Sequence, residues 1–211
     1  MDMEKVAALA TIPQPSEEHG GFVADLQAPL AYCFQAGQGC PAGETQDCLK
    51  NGIDLQIELP PQWTNLASAM DSLQRVLTAK KVSLKSGGWP VKMSCNAALG
   101  KEEFHLQITA AGAVLQASDE DGMRRGIYFL EDQICAAEGA SVLAGEWQRR
   151  PFVRHRISRC FFGPTYRAPF FIDELSNDID YYPEEYLNKL AHEGVNGLWL
   201  TMYFRDLPSS V

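Results

Sequence analysis

Residues 102–134, EEFHLQITAAGAVLQASDEDGMRRGIYFLEDQI, constrain the fold more than any other stretch, because two periodicities meet in them. Phe104, Leu106 and Ile108 alternate with polar neighbours, Ala110, Ala111 and Gly112 form a turn, and Ala113, Leu115 and Ala117 alternate again. Period two on both sides of a short turn predicts a hairpin with one buried face. The period then changes. Ser118 or Asp119 is placed to cap a helix with acids in its first turn, and Met123, Ile127, Leu130 and Ile134 recur at spacings of four, three and four, which puts them on one helical face. A helix packed on a hairpin follows. Gly122 and Gly126 lie four apart on that helix and predict a small-residue face where another backbone comes close.

The same residues resemble the small non-catalytic α+β domain that precedes the catalytic barrel in family 20 glycoside hydrolases, the β-N-acetylhexosaminidases and chitobiases, and in some α-glucuronidases. The carrying elements are the strand Phe104-His105-Leu106-Gln107-Ile108, the strand end Leu115-Gln116-Ala117-Ser118-Asp119, and the helix opening with Gly122, Gly126 and Leu130.

The rest of the first domain reads in order. Residues 1–50 are an extension of loops, PQPSEEHGG and QAGQGCPAGETQD, around a short apolar segment. Asn51-Gly52 is a turn, and Ile53, Leu55, Ile57 and Leu59 alternate into a half-buried strand that Pro60-Pro61 ends. Thr64 or Asn65 caps a helix bearing Leu66, Met70, Leu73 and Leu77, and Gly87-Gly88 leads to a strand from Val91 to Asn96. The order strand, helix, strand, strand, strand, helix predicts an α+β two-layer domain over residues 51–148, with helices on one face of a largely antiparallel sheet. His105 falls on the face opposite Phe104, Leu106 and Ile108, the place of a surface or packing residue rather than a base.

A second unit is expected over residues 149–211. FVRHRISRCFF, from Phe152 to Phe162, reads as a strand, and a loop runs from Gly163 to Asp180 with Tyr166, Phe170 and Phe171. Pro183 with Glu184 and Glu185 opens a helix burying Tyr186, Leu187 and Leu190, Gly194 stops it, and Val195 to Tyr203 is an apolar strand. Strand, helix, strand is one βαβ unit of a parallel sheet. Its helix, Pro183-Glu184-Glu185-Tyr186-Leu187-Asn188-Lys189-Leu190-Ala191, and strand, Gly194-Val195-Asn196-Gly197-Leu198-Trp199-Leu200, resemble the opening of the family 20 barrel. That resemblance implies an α+β domain followed by the first βαβ of an incomplete (β/α)8 barrel, since a whole barrel takes about 250 residues and about 60 follow Pro151.

The arginines supply the candidate binding residues. Arg149, Arg150, Arg154, Arg156, Arg159 and Arg167 are six of the eighteen basic residues, in a chain of net charge −9. Cations in a barrel strand need partners, and strand C-terminal ends face the active-site mouth. In the family an arginine of the first strand binds hydroxyls of the terminal sugar; the resemblance points to Arg156, with Arg154 as the alternative, and a planar guanidinium suits neighbouring hydroxyls. Arg205 and Asp206, after the second strand, would also face the mouth or brace each other. No acid pair matches the family's catalytic Asp-Glu: Asp119-Glu120, Asp173-Glu174 and Glu184-Glu185 read as a helix cap, a loop and a helix start. The resemblance therefore implies an inactive N-terminal portion of a glycosidase whose parent hydrolyses a terminal sugar, an N-acetylhexosamine first, by acid catalysis with no metal or organic cofactor. Its expected partners are the carbohydrate substrate and the remainder of the barrel.

Other features bound this reading. The acidic balance argues against nucleic acid or an anionic membrane as the partner, and no apolar run reaches the roughly 18 to 20 residues of a membrane helix. MDMEKVAALATIPQ lacks the h-region of a signal peptide, so the chain as written is expected in the cytoplasm. Cys33, Cys40, Cys48, Cys95, Cys135 and Cys160 include no C-x-x-C pair and suggest no metal site, though one bridge among the first three would suit an exported protein. The rival function is a self-contained carbohydrate-binding or protein-interaction module in which Val195 to Tyr203 joins the sheet.

Overall fold

A computed structural model describes residues 45–159, 165–167, 170–172 and 182–199. The described residues fall into two compact units, the larger comprising residues 45–154 with Asn188–Gly194, the smaller the described parts of His155–Leu187 and 195–199.

In the larger unit, β1 (Thr45–Gln46) precedes a 3-10 turn at Leu49–Asn51, β2 (Ile53–Glu58), α1 (Ala67–Ala79), β3 (Trp89–Cys95), β4 (Phe104–Thr109), β5 (Gly112–Ala117), α2 (Glu120–Ala136), β6 (Val142–Leu143) and β7 (Gly145–Arg149). The main sheet has the order β2-β3-β5-β4-β7, while β1 pairs with β6 outside it. The strand-helix-strand-strand-strand-helix succession is as expected, but the sheet is mixed rather than largely antiparallel: β2–β3 and β3–β5 are parallel, β5–β4 and β4–β7 antiparallel. The cause is the crossover through α1, which returns the chain in the same direction beside β2.

Register turns the alternation of each strand into a two-faced sheet. Ile57, Met93, Leu115, Leu106 and Trp147 form one row across all five strands, and Leu55, Val91, Ala113 and Ile108 another. The row beyond the first, Glu58, Ser94, Gln116, His105 and Gln148, points the other way. Both helices cover the apolar face, α2 lying against β4, β5 and α1. Met123, Ile127, Leu130 and Ile134 are fully enclosed, as their spacing required. Ile57 is half exposed although its row is apolar, because β2 is an edge strand with a neighbour on one side only.

Asp119 is the N-cap of α2, its Oδ1 accepting from the Gly122 N–H at 2.8 Å. The cap expected for α1 is not made: Leu66 is its N-cap, and neither Thr64 nor Asn65 bonds the helix as a side-chain cap. Asn65 is used elsewhere. Its backbone N–H donates to Glu120 at the start of α2, and its carbonyl accepts from Arg124 Nη2 at 3.1 Å, so the residue joins the two helices.

The smaller unit contains a parallel pair of β8 (Ile157–Arg159) and β11 (Gly197–Trp199), in register Ile157 to Gly197; α3 (Glu184–His192), between them in the chain, has its residues up to Leu187 in this unit and those from Asn188 in the larger one. The strand expected from Phe152 starts only at Ile157. Ahead of it the Asn196 side chain takes the Arg156 N–H at 2.9 Å, occupying a ladder position. The segment expected as a loop contains β9 (Thr165–Arg167) paired antiparallel with β10 (Phe170–Ile172). Gly194, at φ 82° with its N–H on the Ala191 carbonyl, ends α3.

Candidate functional site

Arg156 immediately precedes β8, and its carbonyl accepts from the Asn196 N–H at 2.9 Å, so Asn196 holds the Arg156 backbone on both sides. Asn196 has no chemistry of its own in the sequence, which is why pattern reading passes over it. Arg154 is exposed, Arg159 is the last residue of β8, and Arg205 and Asp206 lie outside the described residues. Among the described residues β8 and β11 pair only with each other. They leave Ile157 and Trp199 56% and 61% exposed.

The acid pairs have structural occupations. Asp119 caps α2, Glu120 holds Asn65, and Glu184 starts α3; Asp173-Glu174 is outside the described residues. His105 sits on the polar face of the sheet with Nε2 2.8 Å from Glu146 Oε1. Among the described residues no group of three or more His, Cys, Asp or Glu side chains is arranged to hold a metal ion, and no described helix is long and apolar enough to cross a membrane.

The strongest concentration of ionisable groups is one that motif reading passes over. In the larger unit, Glu131 and Asp132 of α2 meet His192, the last residue of α3: Nδ1 is 2.9 Å from Asp132 Oδ1 and Nε2 3.2 Å from Glu131 Oε2. Ser72 of α1 donates to the same Glu131 oxygen at 3.0 Å, and the Tyr128 ring lies 4.5 Å from the imidazole. The side chains of Glu131, Asp132 and His192 are 0%, 5% and 1% exposed. Burial pushes both carboxyls above the usual carboxylate range, opposed by their pairing with His192. Burial pulls the imidazole down, but its bonds to Asp132 and Glu131 outweigh that and hold it at about 9. No substrate reaches groups so enclosed, and the cluster acts on the fold. It also shifts the buried face of α3: Asn188 and Leu190 are buried while Leu187, expected inside, is half exposed. One signal was present in the sequence. Glu131 stands four after Ile127 and three before Ile134, an acid within the apolar stripe, and a buried acid demands a partner.

No family model matches the sequence, and no curated protein matches it. Solved structures do match. A GH138 enzyme targeting pectin rhamnogalacturonan II aligns over 69% of this chain and 18% of its own, at 17% identity and a TM-score of 0.50. A GH20 exo-β-N-acetylglucosaminidase from Vibrio harveyi, solved with N-acetylglucosamine, aligns over 75% of this chain and 23% of its own, at 18% identity and a TM-score of 0.50. The chain thus spans 18% and 23% of the length of these relatives. What it shares with these glycoside hydrolases, over part of their length, is a mixed α+β fold.

Proposed function

We propose that this chain is a portion of a glycoside hydrolase that removes terminal sugars, N-acetylhexosamines first among them. In this reading the larger unit is the non-catalytic α+β domain, similar to the second domain of chitobiases, and β8, α3 and β11 open a (β/α)8 barrel. The observation that carries the proposal is the parallel pairing of β8 with β11 on either side of a helix, following the five-stranded domain in the chain. Parallel neighbours joined through a helix are the repeating unit of such a barrel. The exposure of Ile157 and Trp199 supports the remainder of the barrel as the partner of this pair.

Sugar contact is assigned to the arginines about β8, Arg156 first and Arg154 second, and to Arg205 and Asp206 after β11. With the described acid pairs occupied as caps and braces, the 211-residue chain alone is expected to hydrolyse nothing. A self-contained carbohydrate-binding or protein-interaction module is the second reading, favoured by the inclusion of Asn188–Gly194 in the larger unit, although the described part of Val195 to Tyr203 pairs with β8 rather than joining the five-stranded sheet.

An antibody raised against this chain tests the proposal in extracts of the source organism. It should recover a polypeptide several times longer that cleaves a chromogenic N-acetyl-β-glucosaminide, while the recombinant chain cleaves none. Recovery of a 211-residue protein without glycosidase activity would refute the enzyme reading, and sugar binding by that protein would establish the module.

A further inference from the structure

The Glu131–Asp132–His192 cluster is closed to substrates, yet all three of its members exchange protons. Helix α2 presents two adjacent carboxylates, and each ring nitrogen of His192 faces one of them, at 2.9 and 3.2 Å. A neutral imidazole has one N–H and one lone pair. One carboxylate would then face a lone pair at contact distance unless it carried a proton itself. Both contacts are favourable only when two protons lie between the three groups, as imidazolium with two carboxylates or as neutral imidazole with one carboxylic acid. In neutral to alkaline water the separated groups hold only one, the N–H of neutral imidazole.

We propose that these three residues form a proton-held clasp: the segment Asn188–Gly194 stays docked on α2 while the cluster holds one proton more than its members hold in water, and alkaline conditions release that proton and the segment together. No bond other than N–H or carboxyl O–H is broken on opening, and the proton passes to solvent base.

The surroundings support this rather than supply an alternative. From α1 the Ser72 hydroxyl donates to Glu131, and the charge of Arg75 acts on Tyr128. From α2 come Tyr128, whose ring lies 4.5 Å from the imidazole at a tilt of 38°, and Arg124, which bonds Asp121 at 2.6 Å. From β7 Arg149 favours the ionised form of Asp132 through its charge, while its guanidinium lies over the Phe129 ring. From α3 itself Asn188 is buried. His192 contacts both acids, one through each ring nitrogen.

The direction of the pH effect follows. The docked imidazole titrates at about 9 against 6.5 in water, so its contribution is complete below about 6.5 and is lost as pH rises through about 9. Burial holds both acids above their values in water and their pairing with His192 opposes that rise, so the pH dependence of docking is carried by the imidazole.

The test uses the full chain. Protease cleavage within Asn188–Gly194 is followed from about pH 6 to about pH 10, normalised to an unstructured peptide of the same sequence, while the His192 ring nitrogens are observed by NMR. The normalised rate should rise at least about tenfold with a midpoint near that of the imidazole, the shift from 6.5 to about 9 allowing roughly 300-fold. Asp132→Asn should move the midpoint toward that of an ordinary histidine. If that variant does not fold, the wild-type titration decides alone. A flat cleavage profile, or a docked His192 that is neutral at neutral pH beside two ionised acids, would overturn the clasp.

Discussion

Gly122 of α2 lies against the backbone carbonyl of Glu103: a β-carbon on the glycine would stand 2.6 Å from that oxygen. One turn on, a β-carbon at Gly126 would stand 2.5 Å from Leu115 Cδ1. The two contacts look alike in distance but differ in what must move. At Gly122 the obstacle is main chain, and at Gly126 it is the end of a side chain. Alanine adds about 1 kcal/mol of intrinsic helix stability over glycine, against about 1–3 kcal/mol for an overpacked contact. Gly122→Ala is therefore expected to destabilise by about 2 kcal/mol and Gly126→Ala by about 1 kcal/mol or less. Urea denaturation of both variants measures the order; equal losses would mean that Leu115 is as rigid as backbone.

Asp119 serves two N–H groups at once. Its Oδ1 accepts from Gly122 at 2.8 Å and its Oδ2 from Glu102 at 2.9 Å, and Glu102 is held at a φ of 54°. That left-handed conformation carries a steric cost for a residue with a side chain. Asp119→Ala removes both acceptors and should cost about 2 kcal/mol, the upper part of the range for a lost cap. Asp119→Asn keeps one carbonyl oxygen and should recover about half. Thermal unfolding distinguishes the two, and the same loss in both variants would show that charge at the helix start matters more than the count of bonds.

At the other end of α2, Lys80 reaches from the C-terminus of α1 to donate to the Ala137 carbonyl at 2.6 Å and to that of Cys135 at 3.4 Å. Carbonyls in the last turn have no partner within the helix. A cation there also meets the negative end of the helix dipole. Lys80→Met keeps the apolar stem and removes the donor. It should cost about 1 kcal/mol, read as a lower denaturation midpoint at unchanged slope.

The parts of the fold legible from sequence were those whose signal is local. The β4–β5 hairpin and α2 announce themselves because each buried side repeats at the period of its own backbone, and Asp119 is followed by acids that suit a helix start. The parallel pairings of β2 with β3 and β3 with β5 join residues more than twenty positions apart. No periodicity records which neighbour a strand chooses. Asn65 departs from its expected cap for the same reason: its side chain suits a cap, but Glu120 and Arg124, distant in sequence, bond its backbone. His192 reads as an unremarkable helix residue until α2 places Glu131 and Asp132 on either side of its ring.

The assignment of sugar contact to Arg156 can also be separated by position from Arg159, at the far end of the same strand. Arg156 precedes β8 and Arg159 ends it, and a strand rises about 3.3 Å per residue, so their α-carbons stand about 10 Å apart along it. Catalytic groups of a barrel gather at the C-terminal ends of the strands; the resemblance in sequence favours Arg156, the strand direction favours Arg159. Charged hydrogen bonds of about 1.5–3 kcal/mol convert to a fall of roughly 10- to 100-fold in kcat/KM when the donor is removed. In the glycosidase proposed above, Arg156→Ala should show that fall, and Arg156→Lys should recover only part of it because a lysine lacks the planar fork. Asn196→Ala is the control. It removes the side-chain acceptor that anchors the Arg156 backbone and should lower thermal stability more than it changes KM. A large loss in Arg159→Ala with Arg156→Ala near wild type would move the sugar contact three residues along the strand, to its C-terminal end.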